Sequence, residues 1–436
     1  MQPLTPPTAD VLDRLDRFLG PALLAIPPGR ERRLAATYVR GLLGPSERKN
    51  AERIARQARG VERAPAFERD LTEMMASDLW RHEAVMGEAS ARLLATTSGW
   101  QAYTLDDTAL LKQGDQSVGV SNQYAGCIGG LANCQSLVTL GVAQEHASAP
   151  LAMSLYLPPR WDADAVRRAR CHVPDDVHSR PKWRMGQELL LAMEAEGLPP
   201  LPVLADSAYG DVTEFRRWLQ ERDRLYVVGA SMTLTVWAEG TTFRARTSPP
   251  GAGRPATRLQ PTSPCKPLRL DAFAATLPEA RWMQVEWRHG SRGVQRARFA
   301  AVRVRPAWGW SGSGVHPEDL CAEEWLLLHW PEGESKPTKA WLSNLPAETP
   351  LAVLVALARL RWRIERDYRE GKGLVGLDHF EGRSWQGLHH HAALVVLAQH
   401  FLVHERLAAL HEAPVPPALP PAPAKAPPAA SAAFSP

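Results

Sequence analysis

Three stretches of this 436-residue chain put carboxylates where folding can gather them into one site. Asp106 and Asp107 close a predicted strand ahead of Thr108, where an acid is held rigidly at a sheet edge, although a turn aspartate has the same signature. Asp206, in ADSAYGD, follows a buried apolar strand just before a helix. Open α/β sheets place ligands there, and an acid at that position also caps the helix. The third stretch, residues 359–383, carries Arg361, Glu365 and Lys372 at separations of 4, 7 and 11. Eleven helical positions return to within ~20° of the start. One carboxylate and two cations then share a face, able to hold a metal through Glu365 while Arg361 and Lys372 grip phosphates of the same substrate. A surface ion-pair ladder has the same spacing, and spacing alone favours it. P-loop, GxGxxG, HExxH and GxSxG signatures are missing from the sequence.

The elements that must position these residues divide the chain into five parts. Residues 1–95 show three- and four-residue apolar spacing, in segments 11–19, 30–43, 47–59 and 67–94, and form a helical N-terminal domain. Its stretch from Arg30 to Arg59 has nine basic residues against three acidic. That suits a DNA backbone, or equally the solvated face of a bundle. Residues 96–229 begin with period-two strands (104–107, 117–124, 134–143, 151–158), an antiparallel meander. A helix (185–196), a strand (201–206), a helix (211–222) and a strand (225–231) follow, an α/β pattern. Asp211 and Glu214 form a candidate capping box for the second of these helices.

Residues 230–345 read as a β-rich insertion holding eight of the fifteen Trp. Between Arg281 and Arg305 there are seven basic residues and one acid, interleaved with Trp282, Trp287 and Phe299. This suits a nucleic-acid surface, or a half-buried sheet with a basic outer face. Residues 346–411 return to helix, at 350–371 and 385–410. Residues 412–436, with nine Pro and nine Ala, form an extended or disordered tail.

Composition bounds the class. With 44% apolar and 22% charged residues the chain is an ordinary globular protein. The longest apolar stretch, 391–403, is interrupted by Gln399 and His400, so no membrane span is expected. The N-terminus lacks a secretory pattern, which implies a cytoplasmic location. Five cysteines without a CxxC pair suggest packed thiols. A net charge of +4 identifies no partner. His389, His390 and His391 lie on a predicted helix, where neighbours diverge by ~100° and cannot share one ion well.

Taken together, YVRGLLGPSERKN (38–50), LDDTALLKQGDQSVGVSNQYAG (105–126), NCQ (133–135), ADSAYGD (205–211), WLSNLP (341–346) and RWRIERDYREGKGLVGLDHFEGRSWQGLHHH (361–391) carry a resemblance. Over residues 30–405 the chain resembles the DDE transposases of bacterial insertion sequences, cut-and-paste enzymes with a ribonuclease-H-like catalytic domain interrupted by a β-rich insertion. The resemblance implies Asp106 as first acid, with Asp107 the alternate, Asp206 as second and Glu365 as third. The tyrosine-arginine-glutamate-lysine signature falls on Ala358, Arg361, Glu365 and Lys372, so its tyrosine is absent. It further implies two Mg²⁺ ions, with Mn²⁺ as substitute, held by Asp106, Asp206 and Glu365. Also implied are phosphate contacts from Arg361 and Lys372, a DNA hairpin route with a Trp of the insertion holding a flipped base, and a homodimer assembled on terminal inverted repeats and target DNA. Asp378, His379, Glu381 and Arg383 are expected to support the Glu365 helix. The alternative is a domesticated, catalytically silent DNA-binding relic.

Overall fold

The computed structural model describes residues 9–245, 257–290 and 293–412. The Pro/Ala tail beyond Glu412 lies outside them. Four helices come first, α1 (Ala9–Ala22), α2 (Arg30–Leu42), α3 (Ala51–Met75) and α4 (His82–Thr96). α3 runs through the gap left by the apolar spacing at 60–66 and kinks at Gly60, whose φ of 76° only glycine adopts readily. The chain then turns at 76–81, inside a stretch expected to be one helix.

The mixed-sheet core follows: β1 (Ala102–Leu111), β2 (Ser121–Ala125), β3 (Gly130–Ala143), β4 (Ser148–Tyr156), α5 (Ala165–Arg170), α6 (Lys182–Ala195), β5 (Val203–Ala205), α7 (Ser207–Gly210), α8 (Thr213–Gln220) and β6 (Tyr226–Ala230). β1 and β3 pair antiparallel, and β3 carries β2 and β4 along its other edge. β5 and β6 add on in parallel beyond β1. The result is the mixed α/β sheet anticipated from the pattern. From Cys134 to Ala143 every residue of β3 is buried, because helices cover both faces, so strict alternation gives way to a continuous buried run.

The insertion contributes β7 (Thr235–Ala238), β8 (Phe243–Ala245), β9 (Leu259–Pro261), β10 (Leu268–Arg269), α9 (Leu270–Thr276), β11 (Met283–Gly290), β12 (Gly293–Pro306), β13 (Glu324–Pro331) and β14 (Lys339–Ser343). β8 and β9 pair with each other as a two-stranded sheet, and the other strands are not a separate layer. β14 pairs antiparallel with β6, Ser343 opposite Val227, so among the described residues a single sheet of twelve strands runs through core and insertion.

The chain ends in α10 (Leu351–Leu360), α11 (Arg363–Gly373) and α12 (Trp385–Glu412). By length and composition alone α12 could cross a membrane. Its apolarity has another cause: it packs against α2, α3, α4 and β4, and its residues from Leu388 to Ala398 are buried. The polar interruptions are bonded inside this core, Gln399 donating to the Asp367 carbonyl and His400 bonding that of Pro150. His389, His390 and His391 each find separate partners, Trp385 and Leu155, Met75 and Trp80, and Tyr38 and Gly376. They tie the helical domain to the sheet.

Candidate active site

Asp106 lies in the middle of β1 rather than at its end, because β3 is long enough to pair with the chain as far as Leu111. Parallel register sets Leu105 opposite Ala205 on β5, so Asp106 and Asp206 are the next residues on adjacent strands. There β5 stops. Asp206 turns the chain into α7, its Oδ1 accepting from the Ala208 N–H at 2.9 Å, and so is both a strand-end acid and a cap. α7 seats directly on β6, since a Cβ on Gly210 would fall on the Gly229 carbonyl and one on Gly229 would press on Ser207 N at 2.8 Å. The expected Asp211–Glu214 capping box does not form. α8 begins at Thr213 behind Val212, and Asp211 instead accepts from the Ser231 N–H.

Glu365 arrives from the first turn of α11. The single helix anticipated over 350–371 is two, joined at Arg361 and Trp362 by tighter i→i+3 bonds. Arg361 at this joint donates to Asp106 Oδ2 at 2.7 Å and lies 3.7 Å from Glu365 Oε1. The Asp106 and Arg361 side chains are 16% and 22% exposed, Glu365 49%. The missing Cβ of Gly371 leaves room for Gln399 of α12, whose amide would stand at 3.3 Å from it. Lys372 donates to the Ala109 carbonyl on β1 at 2.7 Å, and its burial lowers its pKa. Asp107, on the opposite face, is occupied by Lys182 at 2.6 Å and Ser136 at 2.9 Å.

Burial pushes the Asp106 carboxyl up to about 7; Arg361 pulls it back and Asp206 adds to the rise. Burial raises Asp206 as well, again opposed by Arg361. Two half-buried acids thus lie in the field of one guanidinium. Among the described residues no three His, Cys, Asp or Glu side chains stand close enough to hold an ion as they are, since Arg361 lies between Asp106 and Glu365. The donor chemistry nonetheless fits a divalent cation. The three acids offer hard carboxylate oxygens, and two are lifted by burial for want of positive charge.

Two further groups at this site escaped the sequence reading. Tyr209 and Tyr368 are buried phenols in the field of Asp106 and Asp107. Each follows a candidate acid by three residues, a spacing that would have pointed to them.

Each of the other expected surfaces is paired in part within the chain. In the helical domain Arg30 meets Asp70 and Glu73, Arg40 meets Asp16, Arg48 meets Glu381 and Arg56 meets Glu52. In the insertion Arg296, Arg298 and Arg305 meet Glu332, Glu279 and Glu323. Arg298 also lies 4.5 Å above the Trp330 ring. The Trp287 side chain is outside the described residues. Of the 378–383 stretch, Asp378 acts on Lys372 of α11, whereas the others brace different elements: His379 accepts from the Lys49 N–H, Glu381 pairs with Arg48, and the Arg383 carbonyl accepts from Val118. Cys134 and Cys171 are packed, whereas Cys127 and Cys265 are exposed.

A family model described as "DDE superfamily endonuclease" matches residues 25–294, a span that includes Asp106 and Asp206 and ends before Glu365. No curated protein matches the chain. Among solved structures it is similar to the cryo-EM structure of a piggyBac transposase synaptic complex with hairpin DNA, at 7% identity and a TM-score of 0.42, over 93% of this chain and 74% of that one.

Proposed function

The chain belongs to the DDE superfamily of endonucleases, and on that premise we propose that it is a DNA transposase that cuts at the inverted repeats ending its own insertion sequence and joins them to target DNA. The observation that supports this most is the placement of Asp106 on β1 beside Asp206 at the end of the parallel strand β5, with Glu365 linked to Asp106 through Arg361. In this reading Asp106, Asp206 and Glu365 hold two Mg²⁺ ions, or Mn²⁺ in their place. Bound there, the ions activate an attacking hydroxyl and stabilise the departing oxygen of an in-line displacement at phosphorus. Arg361 releases the acids and turns to the substrate phosphates. Lys372 stays against β1 and adds positive charge beside the scissile strand. No covalent protein–DNA bond is required. A hairpin route, with an insertion Trp holding an unstacked base, and a dimer on paired ends in a bacterial cytoplasm complete the proposal.

The test is cleavage of a duplex carrying the repeats that flank the gene. Asp106→Asn, Asp206→Asn and Glu365→Gln should each abolish cutting while DNA binding persists. Cutting retained by any of them removes that residue from the assignment. Cutting that unrelated duplex competes away equally well indicates a nuclease without end specificity.

Ala358, in place of a tyrosine, supports a second reading, a silent DNA-binding relic. Binding to the repeats with no cleavage in Mg²⁺ or Mn²⁺ by the unaltered chain would favour it.

A further inference from the structure

On the face of the sheet that carries Asp106, three buried hydroxyls lack hydrogen-bond partners. Thr104 precedes Asp106 by two residues and shares its face, and Thr139 is its direct cross-strand neighbour on β3. Both threonines are fully buried, and neither Oγ1 is bonded. Tyr368 reaches the same face from α11, one turn beyond Glu365. It is 9% exposed, its hydroxyl faces Thr139 without completing a hydrogen bond, and Asp106 is the charge that acts on it most. A buried hydroxyl left unsatisfied costs stability, and phenylalanine would fill the space without that cost.

Asp106 has the complementary surplus. Its Oδ1 accepts from the Asp107 N–H and its Oδ2 from Arg361, which leaves lone pairs on both oxygens. Donors without acceptors therefore face an acceptor with capacity to spare.

We infer that Tyr368 is the positioning residue for Asp106: with a cation bound, its O–H closes on Thr139 Oγ1, whose own O–H turns to the carboxylate and fixes the plane in which Asp106 meets the ion. The inference rests on Asp106 being a metal-holding acid. Partners that orient a ligand in this way typically change metal affinity by 10–100-fold.

The experiment titrates Mn²⁺ into the full chain without DNA and records melting temperature alongside. Tyr368→Phe should weaken Mn²⁺ binding roughly tenfold while melting at the same temperature or higher. Thr139→Val should do the same and covers the case of a poorly folded Tyr368→Phe. The double variant should lose no more than either single one, because the two hydroxyls form one relay. In single-turnover cleavage the loss should fall on the rate rather than on DNA affinity. Wild-type Mn²⁺ affinity in both single variants, with binding lost in Asp106→Asn, would overturn the relay alone. Undiminished binding by Asp106→Asn would overturn the reading of the site on which it rests.

Discussion

The Arg361 guanidinium donates to Asp106 at 2.7 Å and reaches Glu365 at 3.7 Å, so one side chain links acids that lie 259 positions apart in the chain. It takes up carboxylate oxygens that would otherwise be open to a cation. Arg361→Gln should therefore bind Mn²⁺ roughly fivefold more tightly at pH 8, the equivalent of losing a competing ion pair worth ~1 kcal/mol. Cleavage by the same variant should collapse, since the phosphate contact goes with it. Weaker Mn²⁺ binding would mean that Arg361 assembles the acids instead of competing for them.

Gly210 and Gly229 let α7 lie against β6, and α7 holds Asp206 in place. The contact is with backbone, so no side chain can swing away. Gly210→Ala should lower both the melting temperature and the rate of cleavage, whereas alanine at Gly373, where a Cβ meets nothing, should leave melting almost unchanged or slightly raise it. Equal effects at the two positions would count against a close-packed seat for Asp206.

Arg216 and Glu324 form an ion pair whose side chains are each 2% exposed, with the Tyr226 hydroxyl donating to Glu324 at 2.7 Å. Arg216 also bonds the Gly210 carbonyl and Thr213. The pair locks α8 of the core to β13 of the insertion. Removing one partner strands a buried charge, so Arg216→Met should cost about 3–5 kcal/mol in urea unfolding. Arg216→Met combined with Glu324→Gln should recover part of that loss. A double variant less stable than the single one would show that the charge on Glu324 is not the source of the penalty.

Asp367 is buried beneath α12, and burial raises its carboxyl to about 7 despite a hydrogen bond from Ser148 at 2.6 Å. In the unfolded chain it titrates near ~4. Between those values the unfolded state loses the proton and the folded state keeps it. The group's contribution is thus fully present below pH ~4 and is lost as pH rises to about 7. Asp367→Asn cannot titrate, so its melting temperature should gain on the wild type progressively from pH 4 to 7. Parallel melting curves across that range would contradict the assignment.

Much of the scaffold was legible in the sequence because helix and strand periods are local properties. Apolar spacing located the N-terminal helices, alternation located the β1–β4 meander, and the apolar strand before Asp206 announced its position at a sheet end. The separate roles of His389, His390 and His391 also followed from helical geometry. Where prediction failed, the deciding contact was remote. Asp211 has the spacing of a cap and serves the backbone of Ser231 instead. The 350–371 helix breaks at Arg361, whose partner Asp106 is 255 residues away. Within the basic runs, Arg40 and Arg48 pair with Asp16 and Glu381, acids outside the stretch in which the run was read.

By itself, then, the chain determined which acids are available and the kind of element that carries each, because those depend on neighbours within a few residues. The tertiary structure alone decided their company. Parallel pairing sets Asp106 beside Asp206, the joint between α10 and α11 puts Arg361 between Asp106 and Glu365, and the β3 register brings Thr139 and Tyr368 to the same face. The physical reason is that register and burial are fixed by contacts between distant segments, and it is burial that raises the acids' pKa and leaves hydroxyls without water.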